Sequence, residues 1–379
     1  MPLKTAAQDF EGSPRKGRGA TDNREGRYEK QTIELQDDGW ARDVSHEPAD
    51  DDAAGRSGAS DEVRRIPTVV TDEQARSLIQ TNQSPDAGPG ATINPYRGCE
   101  HGCIYCYARP SHSYLGLSPG LDFETRLFAK TNAVEILRRE LSKPGYRPQP
   151  IMLGANTDAY QPIERKRGLT RSILALLAET RHPVAIVTKN ALVERDLDLL
   201  SAMARDGLAA VSLSITTLDP DVARRMEPRA SAPARRVEAV RRLAAAGIPT
   251  GVNVAPVVPF LTDSELEAIL DAAAAAGATR AGYVLLRLPW ELKGLFRDWL
   301  DTHFPLKADH VMSRLQQMRG GRDYDSRFGT RMKGEGIYAE LLAQRFRKTC
   351  ARLGLNVARR ALDTRLFRSP SGPQGDLFG

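Results

Sequence analysis

The chain contains little cysteine for its length and no long apolar run. It has 4 cysteines and 6 histidines among 379 residues. So few thiols exclude a disulfide framework of the kind that stabilises small secreted proteins, and they are typical of a reducing cytoplasm. No run of about 18 apolar residues occurs, so the sequence predicts no membrane-spanning helix. The first residues also lack the apolar core of a secretory signal, and we therefore expect a cytoplasmic protein with no membrane partner.

Aromatic residues are also scarce, at 6%, whereas charged residues make up 27% of the chain. The hydrophobic fraction of 41% suffices for the core of one large domain or two smaller ones. A net charge of +6 and a pI near 9.2 make the protein moderately basic. This balance is compatible with a polyanionic substrate but does not by itself identify one.

Three of the four cysteines lie close together. Cys99, Cys103 and Cys106 form a C-x3-C-x2-C pattern. In so cysteine-poor a chain this spacing indicates a metal site. A 4Fe-4S cluster takes thiolates on separate irons, and one short loop can supply three of them. The fourth iron then has no protein ligand and is open to a small molecule, so the pattern predicts a cluster that takes part in chemistry.

Two other interpretations of these cysteines stay open. They could be buried structural thiols, although such thiols would not need this spacing. They could also bind a structural zinc ion, which takes four tetrahedral ligands that usually come in two pairs. The second pair is missing here. His101 or His112 would have to supply the fourth ligand, and His101 lies between two of the cysteines.

The cysteine loop resembles the hallmark of the radical S-adenosylmethionine (radical SAM) superfamily, C-x3-C-x-aromatic-C. The matching residues are Cys99, Cys103, Tyr105 and Cys106. The resemblance implies that the open iron binds the amino and carboxylate groups of SAM. It also implies that one electron splits SAM into a 5′-deoxyadenosyl radical that takes a hydrogen atom from the substrate. Tyr105 would then lie against the adenine, and a flavodoxin or ferredoxin type of protein would donate the electron.

Short apolar runs alternate with helical segments from about residue 91 to residue 290. Such alternation predicts parallel β–α units. Six units fit an α/β fold with a partial, open (β/α)6 barrel, which the resemblance also implies. Residues 122–129 fit either a short strand or a loop. The predicted strands are Ala91–Pro95, Pro150–Gly154, Pro183–Thr188, Ala209–Ile215, Thr250–Ala255 and Ala281–Arg287.

The composition divides the chain into five regions. Residues 1–62 are charged and poor in apolar residues, so we expect a disordered arm. A linker follows over 63–90, and the radical SAM barrel occupies 91–290. Residues 291–365 indicate a helical C-terminal extension, and 366–379 a flexible tail.

Polar residues follow several of the predicted strands. In barrels of this kind the carboxyl ends of the strands form one mouth, where the chemistry collects. Asn156, Thr157 and Asp158 begin the motif T-D-x-Y-Q-P-x-E after the second strand. The motif resembles a radical SAM branch that includes spore photoproduct lyase and relatives often labelled DNA repair photolyases. The resemblance implies that these three residues lie near SAM, with Asp158 facing its ammonium group.

Three further residues are candidates for the same pocket. Lys189 lies in a turn that resembles the T-K-S turn of the branch, and it would meet an anionic ligand or an acid such as Asp158. Ser214 would meet the ribose or methionine part of SAM, or be a hydroxyl of the core. Arg229, in an E-P-R element, is a candidate partner of the SAM carboxylate. Arg235 and Arg236 compete with Arg229 for that role.

The remaining cysteine marks a difference from the branch. Spore photoproduct lyase uses an additional cysteine in its mouth to return a hydrogen atom to the product radical. The spare cysteine here is Cys350, in the predicted amphipathic helix Ile337–Leu353, where an isolated cysteine is typical of a small core residue. The resemblance therefore indicates kinship and does not predict lesion repair by that mechanism.

The favoured hypothesis is a radical SAM enzyme that acts on a large substrate, with nucleic acid, for repair or modification, as the favoured class. Basic and aromatic residues interleave between residues 324 and 333, which suits contacts with a single strand and equally a lid. The tail residues Gln374–Phe378 resemble the peptide by which bacterial repair proteins bind the sliding clamp. A non-catalytic iron–sulfur protein for DNA-associated redox sensing or recruitment, and a radical enzyme that modifies peptides or proteins, are the alternatives.

Overall fold

The computed structural model describes residues 15–28, 66–81, 84–86, 90–357 and 361–370. Across these ranges, no helix is both long and apolar enough to span a membrane. Ten strands are described: β1 Val69–Glu73, β2 Gln80–Thr81, β3 Ala91–Ile93, β4 Tyr96–Arg97, β5 Arg126–Lys130, β6 Ile151–Leu153, β7 Val184–Thr188, β8 Ala209–Ser214, β9 Thr250–Val257 and β10 Arg280–Leu285.

Helices follow most of these strands. The α-helices are α1 Asp122–Thr125, α2 Ala133–Leu141, α3 Glu164–Arg167, α4 Leu169–Glu179, α5 Leu197–Arg205, α6 Pro220–Met226, α7 Pro233–Ala245, α8 Leu266–Ala275, α9 Leu292–His303, α10 Pro305–Gln317 and α11 Ile337–Leu353. The described ranges also contain three 3-10 helices, Arg109–Leu115, Ala191–Asp196 and Asp263–Glu265.

The main sheet has the order β10-β9-β8-β7-β6-β3-β2. Neighbouring strands from β3 to β10 are parallel, and the short β2 pairs antiparallel with β3. In the described part of the chain, β3 and β10 are not paired with each other, so the parallel sheet is open. The six predicted strands are confirmed. They are apolar runs covered by helices, which is the usual pattern of a parallel sheet.

The helices cover the sheet with apolar stripes. In α4, Ile173, Leu174 and Leu177 are fully buried, with the spacing of one helix face. The helices α7 and α8 pack on β9 in the same way. This arrangement sends all six parallel carboxyl ends to one edge of the sheet, and that edge is the mouth.

Residues 122–129 belong to a second, smaller sheet with the order β1-β5-β4. They form the short helix α1 and then β5, which runs parallel to β1 and antiparallel to β4. The prediction of a plain linker over 63–90 is therefore wrong for the residues of β1 and β2. The strand β1 lacks the buried apolar alternation by which a strand is found from sequence, since several of its side chains are exposed.

Residues 15–28, which we call the N-terminal segment, are ordered against the barrel. Arg18 is buried and donates hydrogen bonds to the carbonyl oxygens of Glu124, at 2.9 Å, and Ile66, at 2.7 Å. The backbone N–H groups of Gly19 and Ala20 donate to the Glu124 carboxylate at 3.0 and 2.8 Å. The prediction of a disordered arm is thus wrong for this segment, because partners far along the chain order it. Residues 1–14 and 29–62 lie outside the described residues.

The helical C-terminal extension is present as α9, α10 and α11. Residues 361–370 then lie along the amino edge of the sheet. The Phe367 ring lies 5.3 Å from that of Tyr146 and 5.4 Å from that of His182. The prediction of a flexible tail from residue 366 is therefore wrong as far as residue 370. The clamp-like residues Gln374–Phe378 lie outside the described residues.

Cys350 is buried in α11, as predicted, within the main apolar core. The Asn356 amide lies 3.9 Å from its sulfur and bonds both backbone groups of Ala281. Ala281 is near the start of β10. Cys350 therefore lies by the amino edge of the sheet, away from the mouth.

Buried His182 makes the stability of the protein sensitive to acid. Its Nδ1 lies 3.1 Å from the Pro183 carbonyl oxygen and its Nε2 lies 2.9 Å from the Tyr146 hydroxyl. Burial lowers the pKa of His182 to about 4. The neutral ring is therefore favoured by folding, and its contribution is complete above the ordinary pKa and is lost as the pH falls from about 6.5 to 4.

We expect His182→Gln to remove this part of the pH dependence. The difference in the free energy of unfolding between pH 7 and pH 4 should shrink by about 3 kcal/mol, as urea titrations at several pH values would measure. The exposed His310→Gln serves as the control and should leave the wild-type slope. Equal slopes for the wild type and His182→Gln would contradict the assignment.

Candidate functional site

The three clustered cysteines lie on one loop between β4 and the 3-10 helix Arg109–Leu115. Cys99 and Cys103 are buried, Cys106 is partly buried, and all are free thiols. The Cys99 N–H donates to the Phe123 carbonyl oxygen at 2.9 Å, and the Ile104 N–H donates to the Met226 carbonyl oxygen at 3.0 Å. These backbone bonds fix the loop against α1 on one side and the end of α6 on the other.

The chemistry of the loop fits a metal cluster. Burial raises the pKa of each thiol, while Lys189 acts in the opposite direction on Cys103 and Cys106. Burial thus opposes the bare thiolates, and a metal ion that replaces the protons would compensate the negative charge of the sulfurs. Cys99, Cys103 and Cys106 therefore fit as ligands of three irons of a 4Fe-4S cluster, the group that the cysteine pattern predicts.

Zinc fits the same residues poorly. His101 Nε2 lies 3.1 Å from the Asn190 amide nitrogen, and its Nδ1 lies 3.4 Å from the Asp158 carboxylate. His112 Nε2 bonds the Arg126 carbonyl oxygen at 3.0 Å. The two histidines that a zinc site would need are thus engaged elsewhere.

An ion pair that the sequence analysis missed supports the loop from behind. Arg109 and Glu124 are both fully buried and bonded to each other. Arg109 also donates to the carbonyl oxygens of Cys103, at 2.9 Å, and Gly102, at 3.1 Å. A Cβ atom on Gly19 would lie 1.8 Å from the Gly102 oxygen. The N-terminal segment therefore completes the wall behind the cysteine loop, at a distance that only glycine permits.

Side chains of the T-D-x-Y-Q-P-x-E motif hydrogen-bond to the residues around the start of the cysteine loop. Thr157 donates to the Tyr96 carbonyl oxygen at 2.9 Å. Gln161 accepts from the Glu100 N–H at 2.8 Å and donates to the Gly98 oxygen at 3.2 Å. Glu164 accepts from the Tyr96 hydroxyl and, at 2.7 Å, from Arg195. The motif thus clamps both flanks of Cys99, a role that its position after a strand did not reveal.

Asp158 links the motif to the next strand. Its carboxylate accepts from the Thr188 hydroxyl at 2.7 Å, the Lys189 N–H at 2.8 Å and the Tyr160 N–H at 2.8 Å. Burial would raise the pKa of Asp158, but His101 beside it and these hydrogen bonds lower the pKa to about 2. Asp158 is therefore an ionised anchor of the loops, and its predicted contact with SAM stays a prediction.

Asn156 and Thr157 share one partner at the mouth. Their backbone N–H groups lie 2.8 and 3.3 Å from Oδ1 of Asn94, which follows β3. The Asn156 amide lies 3.5 Å from the Ser111 hydroxyl, at the surface. The structure therefore brings both residues next to the cysteine loop. Their predicted approach to SAM is not decided by these contacts.

Tyr105 is held by a buried polar network that the sequence analysis also missed. Its hydroxyl donates to the Glu227 carboxylate and lies 3.3 Å from the Thr216 hydroxyl. Glu227 also forms a buried ion pair with Arg236. Burial would raise the pKa of Glu227, but Arg236 and Lys189 lower it to about 2. The ring of Tyr105 is therefore fixed by an ionised carboxylate under the mouth.

Lys189 faces this network. Its ammonium nitrogen lies 5.7 Å from the centre of the Tyr105 ring. Within the described ranges it forms no ion pair, and Asp158 bonds its backbone rather than its side chain. The cation therefore lies beside Tyr105 and the thiols, and its predicted contact with an anionic ligand stays a prediction.

The three arginines that competed for the SAM carboxylate have different surroundings. Arg229 bonds Glu100 at 3.0 Å and Thr68 at 3.2 Å, so its guanidinium is engaged within the protein. Arg235 pairs with Glu194 near the surface. Buried Arg236 donates to the Ser214 carbonyl oxygen at 2.9 Å, which gives buried Ser214 a place in the core beside the Glu227 network. Among the described residues, no contact of these three arginines marks one of them as the partner of SAM.

Comparison with known proteins agrees with this geometry. The family model described as Radical SAM superfamily matches residues 93–273, which contain the cysteine loop, the motif and Lys189. The matched residues make up slightly less than half of the chain, and over them the chain is similar to the radical SAM superfamily. The fold is similar to that of spore photoproduct lyase: a structure of that enzyme complexed with dinucleoside spore photoproduct has a TM-score of 0.53. That match is 18% identical and covers 80% of this chain and 86% of the other.

Curated relatives carry no described function. An uncharacterized protein of Mycobacterium tuberculosis is 39% identical over 229 residues, which cover 60% of this chain and 66% of the relative. An uncharacterized protein of Methanocaldococcus jannaschii is 30% identical over 184 residues, which cover 48% of this chain and 66% of the relative. The chain thus spans slightly less than two thirds of the length of these relatives.

Proposed function

We propose that this protein is a radical SAM enzyme that acts on a nucleic acid. Its cluster would be held by Cys99, Cys103 and Cys106, and SAM would bind beside Tyr105. When bound, the cluster supplies the single electron that reductive cleavage of SAM requires. The observation that carries the proposal is the fixed Tyr105 ring directly beside the cysteine loop, with its hydroxyl tied to Glu227.

The residues of this chain then bind, orient and exclude water. The Glu227 carboxylate holds Tyr105 in one position, so the adenine of SAM would meet a preformed surface and would pay little for ordering it. Lys189 offers a cation to the anionic groups of the ligand. The Arg109–Glu124 pair and the N-terminal segment keep water from the back of the cysteine loop.

Two observations support a nucleic acid as the substrate. The protein is basic, with a net charge of +6, as suits a polyanion. The similar fold of spore photoproduct lyase has been solved with a dinucleoside lesion bound. The reaction would differ in its hydrogen donor, because Cys350 lies by the amino edge of the sheet and the other three cysteines are the proposed cluster ligands. We therefore propose repair or modification without a fourth cysteine at the mouth.

The proposed partners follow from the same function. A flavodoxin or ferredoxin type of protein would supply the electron. The sliding clamp would bind the residues Gln374–Phe378, whose Leu and Phe side chains are suitable apolar anchors. We place the protein in the cytoplasm, where nucleic acid, reductant and clamp meet.

The decisive test is anaerobic reconstitution with iron and sulfide, followed by SAM and dithionite. We expect release of 5′-deoxyadenosine, measured by chromatography, with about tenfold more when the matching DNA or RNA is present, because a bound substrate shifts the enzyme toward its competent state. Glu238→Gln, in an exposed ion pair on α7, is a suitable control and should behave as the wild type. Absence of 5′-deoxyadenosine from iron-loaded protein would reject the enzyme. Release that only peptides stimulate would reject the nucleic acid.

A further inference from the structure

A cluster of arginines lies where β10 ends. Arg287 follows this strand, and its guanidinium carbon lies 4.8 Å from the centre of the Tyr107 ring. Tyr107 directly follows Cys106, and its hydroxyl donates to the Ala155 carbonyl oxygen, beyond β6. Since β3 and β10 are at opposite ends of the parallel sheet, this contact spans the gap between them. Arg287 therefore lies in the mouth, in contact with the residue that follows Cys106.

Arg287 has few partners within the protein. A guanidinium has five N–H donors. In the described ranges, the hydrogen bond of Arg287 goes to the Met332 sulfur, at 3.0 Å, and no carboxylate pairs with it. Sulfur is a weak acceptor, and a partly buried cation without an anion is costly. Burial lowers the pKa of Arg287. Its position is explained best by an anion that binds from outside.

A second guanidinium, that of Arg319, lies next to it. Arg319 is 2% exposed, and it donates to the backbone oxygens of Leu286, at 2.9 Å, and Arg331, at 2.7 Å. Its Nε is buried and has no hydrogen-bond partner among the described residues. Burial and the nearby Arg287 lower the pKa of Arg319 to about 10. The positive charges of Arg287 and Arg319 are thus close enough to repel each other. The Nε donor of Arg319 is left without an acceptor, while its other donors bond backbone oxygens.

The acids around this cluster are already bound. Asp86 accepts from Arg331 Nε at 2.8 Å and from the Gly329 N–H at 2.9 Å. Asp325 pairs with Arg327 at 2.7 Å. Neither carboxylate hydrogen-bonds to Arg287 or Arg319. Asp86 acts on Arg287 and Asp325 acts on Arg319 only through space, so the positive charge of the two guanidiniums is only partly compensated.

We propose that Arg287 and Arg319, beside Tyr107, bind a phosphate group of the substrate strand. The inference rests on the proposed function, because it names the contact by which a nucleic acid would be held at the mouth. Planar guanidiniums match the oxygens of a phosphate through paired hydrogen bonds. The half-exposed Tyr107 ring beside them offers a surface for a base. A phosphate held here would place the adjoining nucleotide next to the cysteine loop.

The test uses the reconstituted full-length protein and a fluorescein-labelled single-stranded oligonucleotide, with anisotropy measured over a range of salt concentrations. For Arg287→Gln we expect about tenfold weaker binding and a salt slope lower by about 1, because one phosphate contact is lost. Arg287→Lys keeps the charge and should weaken binding less. Arg138→Gln, in an exposed pair with Glu179, is the matched control and should bind as the wild type.

A second variant is expected to tighten binding, which a misfolded protein would not do. Asp86→Asn removes one negative charge beside the cluster and keeps one oxygen, which can still accept from either the Gly329 N–H or Arg331 Nε. It should therefore tighten binding and steepen the salt slope. Equal binding by the wild type, Arg287→Gln and Asp86→Asn would overturn the proposal. So would weakened SAM binding by Arg287→Gln in equilibrium dialysis with unchanged oligonucleotide binding, because the anion would then be the SAM carboxylate. A wild type that binds the strand but releases no 5′-deoxyadenosine would instead count against the proposed function alone.

Discussion

Cys103→Ala is expected to lose nearly all bound iron and all measurable release of 5′-deoxyadenosine. Cys103 is buried and, in the proposed function, would supply one of three thiolates that His101 and His112 could not replace, because both histidines are already hydrogen-bonded. Loss of a residue that hydrogen-bonds to a metal ligand lowers metal affinity by about 10–100-fold, and loss of the ligand itself lowers it further. Iron and sulfide analysis of oxygen-protected protein, together with the visible absorption of the cluster, would measure the effect.

Cys350→Ala provides the matched control. It also removes a buried thiol, but one that lies by the amino edge of the sheet. We expect full iron content and a loss of about 1 kcal/mol in the free energy of unfolding, as for a small cavity. The assignment of the cluster would be wrong if Cys103→Ala kept the iron of the wild type, or if the wild-type protein held zinc without sulfide.

The strands of the barrel were predictable because a parallel sheet is buried on both faces. Its strands are continuous apolar runs, so Pro183–Thr188 was predicted where Val184–Thr188 is found. The strand β1 gave no such signal, since none of its residues is buried and three of its five side chains are exposed. The N-terminal segment gave none either. Its order comes from Glu124, about a hundred residues later in the chain, and no local pattern reports such a partner.

The part of the site that could be predicted is the cysteine loop, because the spacing of its cysteines is typical of a metal cluster. The cysteine pattern identified the loop, but the sequence named Arg229 of the E-P-R element as a candidate and left Arg235 and Arg236 as its competitors. A helical period would have separated them. Arg236 shares the face of α7 that buries Ala239, Val240 and Leu243, whereas Arg235 does not. A charge on an apolar helix face predicts a buried ion pair, and Glu227 is the partner that the fold supplies.

That ion pair carries the largest expected effect on stability. Glu227→Ala leaves the Arg236 guanidinium buried, with 2% of its side chain exposed and no carboxylate bonded to it. Removing one partner of a buried ion pair costs about 3–5 kcal/mol, because the other charge is left uncompensated. It also frees the Tyr105 hydroxyl, so we expect weaker SAM binding in addition to the lower free energy of unfolding. Urea denaturation and equilibrium dialysis with SAM would measure the two effects.

The double variant Glu227→Ala/Arg236→Met distinguishes a lost ion pair from lost packing. Since it removes the buried charge as well, it should be more stable than Glu227→Ala alone, which is the reverse of the additive expectation. Tyr105 would still lack its acceptor in both variants, so SAM binding should stay weak in the double variant although stability returns. Equal stability of the single and double variants would show that the loss comes from packing and not from the uncompensated charge of Arg236. Normal SAM binding by either variant would mean that Glu227 does not position Tyr105.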